Sequence, residues 1–246
     1  MVPSKSKRVL IFGDSHLASV RHADTAGLLE LGTVDLEYWG AAGPAFRQIH
    51  FAKEALTPIK PETEEMVLQV NGNGRKTVAA NDFDVFVFYG VRLRFTDFFA
   101  PYLTLMDGEN TAVSDAVLTR AADTFLNDRR SVRMAAMLKK AGAGRVILAF
   151  AGFPVWGVVD HTLENRTLAR FPDVTQATVA SRQRIWQALE AGLAARGLEL
   201  VMQPEDTITK GMFTDPAFAV ADGVEREDAV HKAPTFAAKL LNSLQL

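Results

Sequence analysis

Apolar positions along this chain fall into short unbroken runs separated by longer stretches with helical spacing. Val9 to Phe12, Val85 to Tyr89 and Val146 to Phe150 are runs of β-favouring residues without polar alternation, the pattern of strands covered on both faces. Val34 to Trp39 alternates, and Leu198 to Met202 supplies a fifth strand. Between them, apolar residues recur at helical spacing from Leu17 onward, from Phe46 to Leu56, from Ser114 to Ala141 with an interruption near Asn127 to Arg130, from Val174 to Arg196, and from Pro234 to Leu244. Strands alternating with helices predict an α/β protein: one parallel sheet, helices on both faces, right-handed crossovers. One stretch departs from this rhythm. Met66 to Val70, Asn71-Gly72-Asn73-Gly74 and Arg75 to Ala79 read as two strands joined by Asn-Gly, which predicts a β-hairpin inserted over 64–80. Its expected role is a decoration or a homo-oligomer contact.

Composition narrows this picture more than it adds to it. The 246 residues are expected to form a single domain, 1–246, with a substantial core. With 27 basic and 29 acidic residues, a formal charge of −2 and no block of one sign, neither a nucleic-acid footprint nor a polybasic membrane patch is expected. The absence of cysteine excludes disulfides and thiol catalysis, and fits a reducing compartment. Met1 to Arg8 is basic but leads directly into the first strand, so no signal peptide is read and a cytoplasmic location is expected.

Candidate chemistry lies where the strands end. The first run stops at Gly13-Asp14-Ser15-His16, and Ser15 falls where a helix begins. The unpaired N–H groups and partial positive charge of a helix N-terminus favour an anion forming beside that hydroxyl. A serine hydroxyl needs a base, and a histidine works best when a carboxylate fixes its tautomer. Asp228 and His231, three apart before the last helix, can supply both. In parallel sheets, ligands collect beyond the carboxyl ends of the strands, so the loops at Ser15, Gly43, Gly90 and Gly152 are expected to share one cleft with this pair. His16 and Phe153 are candidate substrate-lining residues there. Phe95, Phe98, Phe99 and Tyr102 fit a satellite core under a loop better than an acyl pocket, and His22, His50 and His161 have no motif partner. No metal-ligand spacing is recognisable.

Together, Gly13-Asp14-Ser15 and Asp228-x-x-His231 resemble the SGNH (GDSL-type) hydrolase superfamily, and Gly13 to His16 is similar to its GDSH variant, found with carbohydrate O-acyl-modifying enzymes. The resemblance implies a flavodoxin-like sheet of five strands in the order 2-1-3-4-5. It also implies a Ser15 nucleophile, a His231 base, an Asp228 orienting acid and no cofactor. Gly40 to Gly43 is similar to the second block of that superfamily, which assigns Gly43, with Ser15, to an oxyanion hole. The third block departs: where an asparagine is usual, Gly90-Val91-Arg92 places an arginine. Arg92 is then an oxyanion donor, a holder of an anionic part of the substrate, or a surface ion pair. The expected function is an esterase or acyl transferase acting on a small O-acyl ester, O-acetyl and carbohydrate-type. The alternatives are a catalytically weak module that binds a glycan or protein, and an anion or phosphoryl site at the same helix N-terminus.

Overall fold

The computed structural model describes residues 6–93, 96–107, 113–158 and 168–246; Phe95 and His161 lie outside them. Strand β1 (Lys7–Gly13) is followed by α1 (Leu17–Thr25), then by β2 (Val34–Gly40) and the single turn α2 (Gly43–Phe46). β3 (Ile49–Ala52), β4 (Ala55–Pro58), α3 (Pro61–Asn71) and the short β5 (Val78–Ala79) precede β6 (Val85–Val91). Three helices come next, α4 (Phe99–Asp107), α5 (Asp115–Asn127) and α6 (Arg130–Lys140), leading to β7 (Arg145–Phe150). The chain ends with α7 (Val179–Ala194), β8 (Glu199–Val201), a two-stranded ribbon of β9 (Ile208–Thr209) and β10 (Phe213–Thr214), and α8 (Pro234–Leu241).

Five strands form one parallel sheet in the order β2-β1-β6-β7-β8, the predicted 2-1-3-4-5 arrangement. Because side chains alternate along a strand, each central strand feeds two cores. Val9, Ile11, Val85, Val87, Ile147 and Ala149 pack under α1 and α8. Leu10, Phe12, Phe86, Phe88, Val146 and Leu148 face the opposite layer, where Leu103, Leu138 and Leu189 belong to the same core. That layer carries an aromatic cluster in which the Phe99 ring lies 4.7 Å from Trp186 and 5.2 Å from Phe153. The expected break near Asn127 separates α5 from α6, and Ser114 caps α5 by accepting the Val117 N–H.

Two expectations are overturned. The predicted hairpin over 64–80 is instead the helix α3 followed by a loop into β5. Pro61 at its first turn, Glu62 and Glu64 near its positive end and Gly72 at φ 72° closing it are all helix signals. The Asn-Gly pair acts as a C-cap. Asn71 is buried and ties the following loop, donating to Glu37 Oε1 at 2.7 Å and accepting from the Arg75 N–H at 2.9 Å. The oligomer contact assigned to that hairpin therefore loses its structural basis. The predicted helix from Phe46 to Leu56 is the actual hairpin, β3 with β4, closed by Lys53 and Glu54 at φ 50° and 61°. Both central residues are left-handed, as a two-residue hairpin turn demands, without the usual Asn-Gly. Leu56 on β4 pairs with Val78 on β5 to complete a small three-stranded sheet.

Candidate active site

Residues Asp14 to His16 sit between β1 and α1 because the backbone turns at Gly13, where it is crowded by neighbouring chain. A Cβ on Gly13 would lie 2.7 Å from the Tyr89 carbonyl oxygen, and one on Gly40 would lie 1.9 Å from that of Gly13. Asp14 holds the turn, accepting the His16 N–H at 3.1 Å through Oδ1. Its other oxygen meets Arg92 Nη2 at 3.0 Å. Ser15 is thereby fixed just before α1, with the Ala18 N–H donating to its carbonyl at 3.3 Å.

The loop before α8 brings the partners. Ser15 Oγ lies 2.7 Å from His231 Nε2, and His231 Nδ1 lies 2.8 Å from Asp228 Oδ2. The second Asp228 oxygen accepts the N–H groups of Val230 at 3.1 Å and His231 at 2.9 Å, so the carboxylate is locked to the turn it orients. Burial pulls the Asp228 pKa upward, but hydrogen bonds from His231 and Val230, together with the His231 charge, outweigh it, and the net direction is down. The loop itself is anchored by the Val155 N–H donating to the Ala229 carbonyl at 2.8 Å and the Ala233 N–H to that of Phe218 at 2.9 Å.

Two basic side chains back this chain of hydrogen bonds. His16 is buried, its ring centre 5.0 Å from that of His231. Its pKa is depressed, first by burial and then by the positive charges of Lys232, His231 and Arg92. His16 is expected to line the substrate cleft; the structure puts it behind His231, against Gly90, where a Cβ would meet the His16 Cβ at 2.7 Å. Gly90, at φ 77°, also marks an irregularity in the pairing of β6 with β7, and Arg92 follows it on the way out of the sheet. Lys232 has no counterpart among the sequence expectations, because a lysine after a loop histidine reads as surface. It is fully buried, donates to the carbonyls of Val230 at 2.7 Å and Ala229 at 3.3 Å, and burial pushes its pKa down to about 7.

Instead of the one shared cleft expected, separate cavities have Arg92 in common, one of them lined by Asp228 and His231. Gly43, Asp14 and Arg92 line one cavity of about 680 Å³, which continues along Phe46 and Arg130. A second, of about 330 Å³, runs from Arg92 past Phe150, Gly152 and Pro154 to Lys232. Phe153 is not part of that wall. Expected at the substrate, it is completely buried: its N–H donates to Gln203 Oε1 at 2.8 Å, and its ring joins the Phe99, Phe150 and Trp186 cluster. The turn at Gly152 sends the side chain inward and leaves Pro154 at the surface of the cavity. Phe98 and Phe99 are core, as expected, whereas His22 and His50 are exposed. Among the described residues, no three His, Asp or Glu side chains gather in a way that could hold a metal ion, and no helix is long and apolar enough to cross a membrane.

The molecule is thus a three-layer α/β sandwich with a serine, a histidine and an aspartate joined by hydrogen bonds at the carboxyl end of its sheet. No family model matches the sequence, and no curated protein does. Among solved structures, the chain is similar to the periplasmic domain of a lipopolysaccharide acetyltransferase from Salmonella ser. Paratyphi A, at 13% identity and a TM-score of 0.41, over 98% of this chain and 83% of that one. It is similar to an extracellular lipase from Streptomyces rimosus at 12% identity and a TM-score of 0.41, over 97% of each chain. A lipase/acylhydrolase from Enterococcus faecalis matches at 12% identity and a TM-score of 0.33, over 96% of this chain and 92% of that one.

Proposed function

We propose that this protein is a serine esterase or acyl transferase that works through an acyl-serine intermediate on a small O-acyl ester, an O-acetyl group on a carbohydrate-type alcohol. The observation that carries the reading is the unbroken path from Ser15 Oγ to His231 Nε2 at 2.7 Å and from His231 Nδ1 to Asp228 Oδ2 at 2.8 Å. Ser15 attacks the ester carbonyl while His231 takes its proton, and Asp228 holds the imidazole in the tautomer that leaves Nε2 free to accept. The tetrahedral oxyanion is held by the N–H groups of Ser15 and Gly43, with Arg92 as the charged donor where an asparagine is usual in the SGNH superfamily. His231 then gives its proton to the leaving alcohol. Water, or the hydroxyl of an acceptor, attacks the acyl-serine with His231 again as base, which regenerates the serine without any cofactor.

His16 supports this assignment by remaining neutral. Its depressed pKa keeps a second positive ring away from His231 at the moment His231 becomes imidazolium. The test is turnover of short-chain aryl esters together with covalent labelling by a fluorophosphonate probe. The wild-type protein is expected to do both. Ser15→Ala is expected to lose labelling entirely and to lose roughly 10⁴-fold or more in turnover. Unchanged turnover in Ser15→Ala overturns the reading, and a folded wild-type protein that is neither labelled nor active favours a binding module.

A further inference from the structure

We propose that the larger cleft, running from Gly43 and Arg92 to Arg47 and Arg130, binds a negatively charged group on the substrate, so that the alcohol carrying the acyl group is an anionic carbohydrate. This rests on the esterase or acyl-transferase reading for the identity of the ester and on separate residues for the charge. Arg47, Arg92, Arg129 and Arg130 line the cleft, against the carboxylates of Asp14 and Asp128. Asp14 is engaged by Arg92 at 3.0 Å, and Arg129 by Asp97 at 3.3 Å. Among the described residues, neither Arg47 nor Arg130 meets a carboxylate within ion-pair distance.

Arg130 is the informative member. It is half-buried at the start of α6, and its guanidinium donates to the carbonyl of Phe46 at 3.1 Å and to that of Ile49. Its centre lies 5.4 Å from the middle of the Phe46 ring. These contacts fix its direction but neutralise none of its charge. Burial lowers its pKa, and the positive charges of Arg133 and Arg47 lower it further, with no acidic neighbour acting in the opposite sense. A preorganised cation crowded by like charges and facing a cleft is a site in which a bound anion relieves repulsion as well as forming hydrogen bonds. Arginine forks match both carboxylate and phosphate, so a uronate sugar and a sugar phosphate share the required chemistry. The cleft also includes Gly43, the proposed oxyanion donor. A charged group seated at Arg130 therefore shares its cleft with the proposed oxyanion donor and with Asp14, the residue before the serine.

The test is calorimetric titration of Ser15→Ala, at low salt, with glucuronate, glucose 6-phosphate and neutral glucose. At least one charged sugar is expected to bind on the order of tenfold or more tighter than glucose, as one charge-assisted contact provides. That preference is expected to fall by a similar factor when Arg47→Gln or Arg130→Gln is added. The better of the two charged probes identifies the group as carboxylate or phosphate. Arg130 also supports backbone carbonyls, so the exposed Arg47 provides the variant that does not depend on refolding of the α2 region. Charged sugars binding no tighter than glucose, or retaining their advantage in folded Arg47→Gln, overturn the proposal. Turnover of neutral aryl esters by the wild-type protein separates the two readings. Turnover without anion preference removes the subsite alone, whereas anion preference through Arg47 without any turnover removes the esterase reading and keeps the subsite.

Discussion

Lys232 is the residue whose environment differs most from what its type suggests. An ammonium group taken fully out of water is held by two backbone carbonyls and, among the described residues, by no carboxylate within ion-pair distance, immediately after the histidine of the site. Unfolded, such an amine keeps its proton up to about pH 10.4; folded, only up to about pH 7. Between those values the unfolded chain binds more protons, so stability rises with pH across that window, and the cost of the buried charge is present in full below it. Lys232→Met loses the two carbonyl bonds at every pH but removes the buried charge. Its melting temperature relative to the wild type is therefore expected to be most favourable at pH 6 and to decline by pH 9, as thermal unfolding at the two values will measure. A pH-independent difference would show that Lys232 keeps its proton in the folded protein across this range, as it does in the unfolded chain.

At the level of elements, the loop-bearing strand ends and the helices were readable because their signals are local. Apolar runs gave β1, β6 and β7, and the stop near Asn127 gave the gap between α5 and α6. Between β2 and β6 two stretches depart from their local signals, each for its own reason; at the first, Asn-Gly closes hairpins and caps helices alike. At Asn71-Gly72 the side-chain bonds to Glu37 and Tyr38 on β2 decide for the cap, and those partners are distant in sequence. At Lys53-Glu54 the turn is built from residues that resist positive φ, so nothing local announced it. That strain is removable. Replacing Lys53 and Glu54 by Asn and Gly is expected to stabilise the protein by about 1 kcal/mol, read as a rise in the urea midpoint with an unchanged slope. A loss of stability would mean that the two side chains support the turn in a way their backbone angles do not reveal.

For the whole molecule, alternating apolar runs and helices made the parallel sheet legible, while the 2-1-3-4-5 order and the pairing of Ser15 with His231 and Asp228 were legible through the resemblance carried by Gly13-Asp14-Ser15 and Asp228-x-x-His231. Phe153 and Lys232 were not, because burial of a loop side chain depends on how that loop folds over the core. The aromatic cluster of Phe99, Phe150, Phe153 and Trp186 joins α4, β7 and α7, so its loss is felt by the fold as a whole. Phe99→Ala is expected to cost about 3–5 kcal/mol in chemical unfolding; a loss below about 1 kcal/mol would indicate that the cluster collapses to fill the space. The end of the sheet beneath the site behaves differently. At Gly13 and Gly40 backbone meets backbone, and at Gly90 it meets His16, whereas a Cβ at Gly43 would touch nothing within 4 Å. A mutational library over this end of the molecule should therefore divide sharply, with substitutions lost to backbone clash beneath the serine, while at Gly43 on the rim only the left-handed backbone, φ 55°, resists a side chain. New specificities in this scaffold will arise by rebuilding the walls around a floor that admits no change.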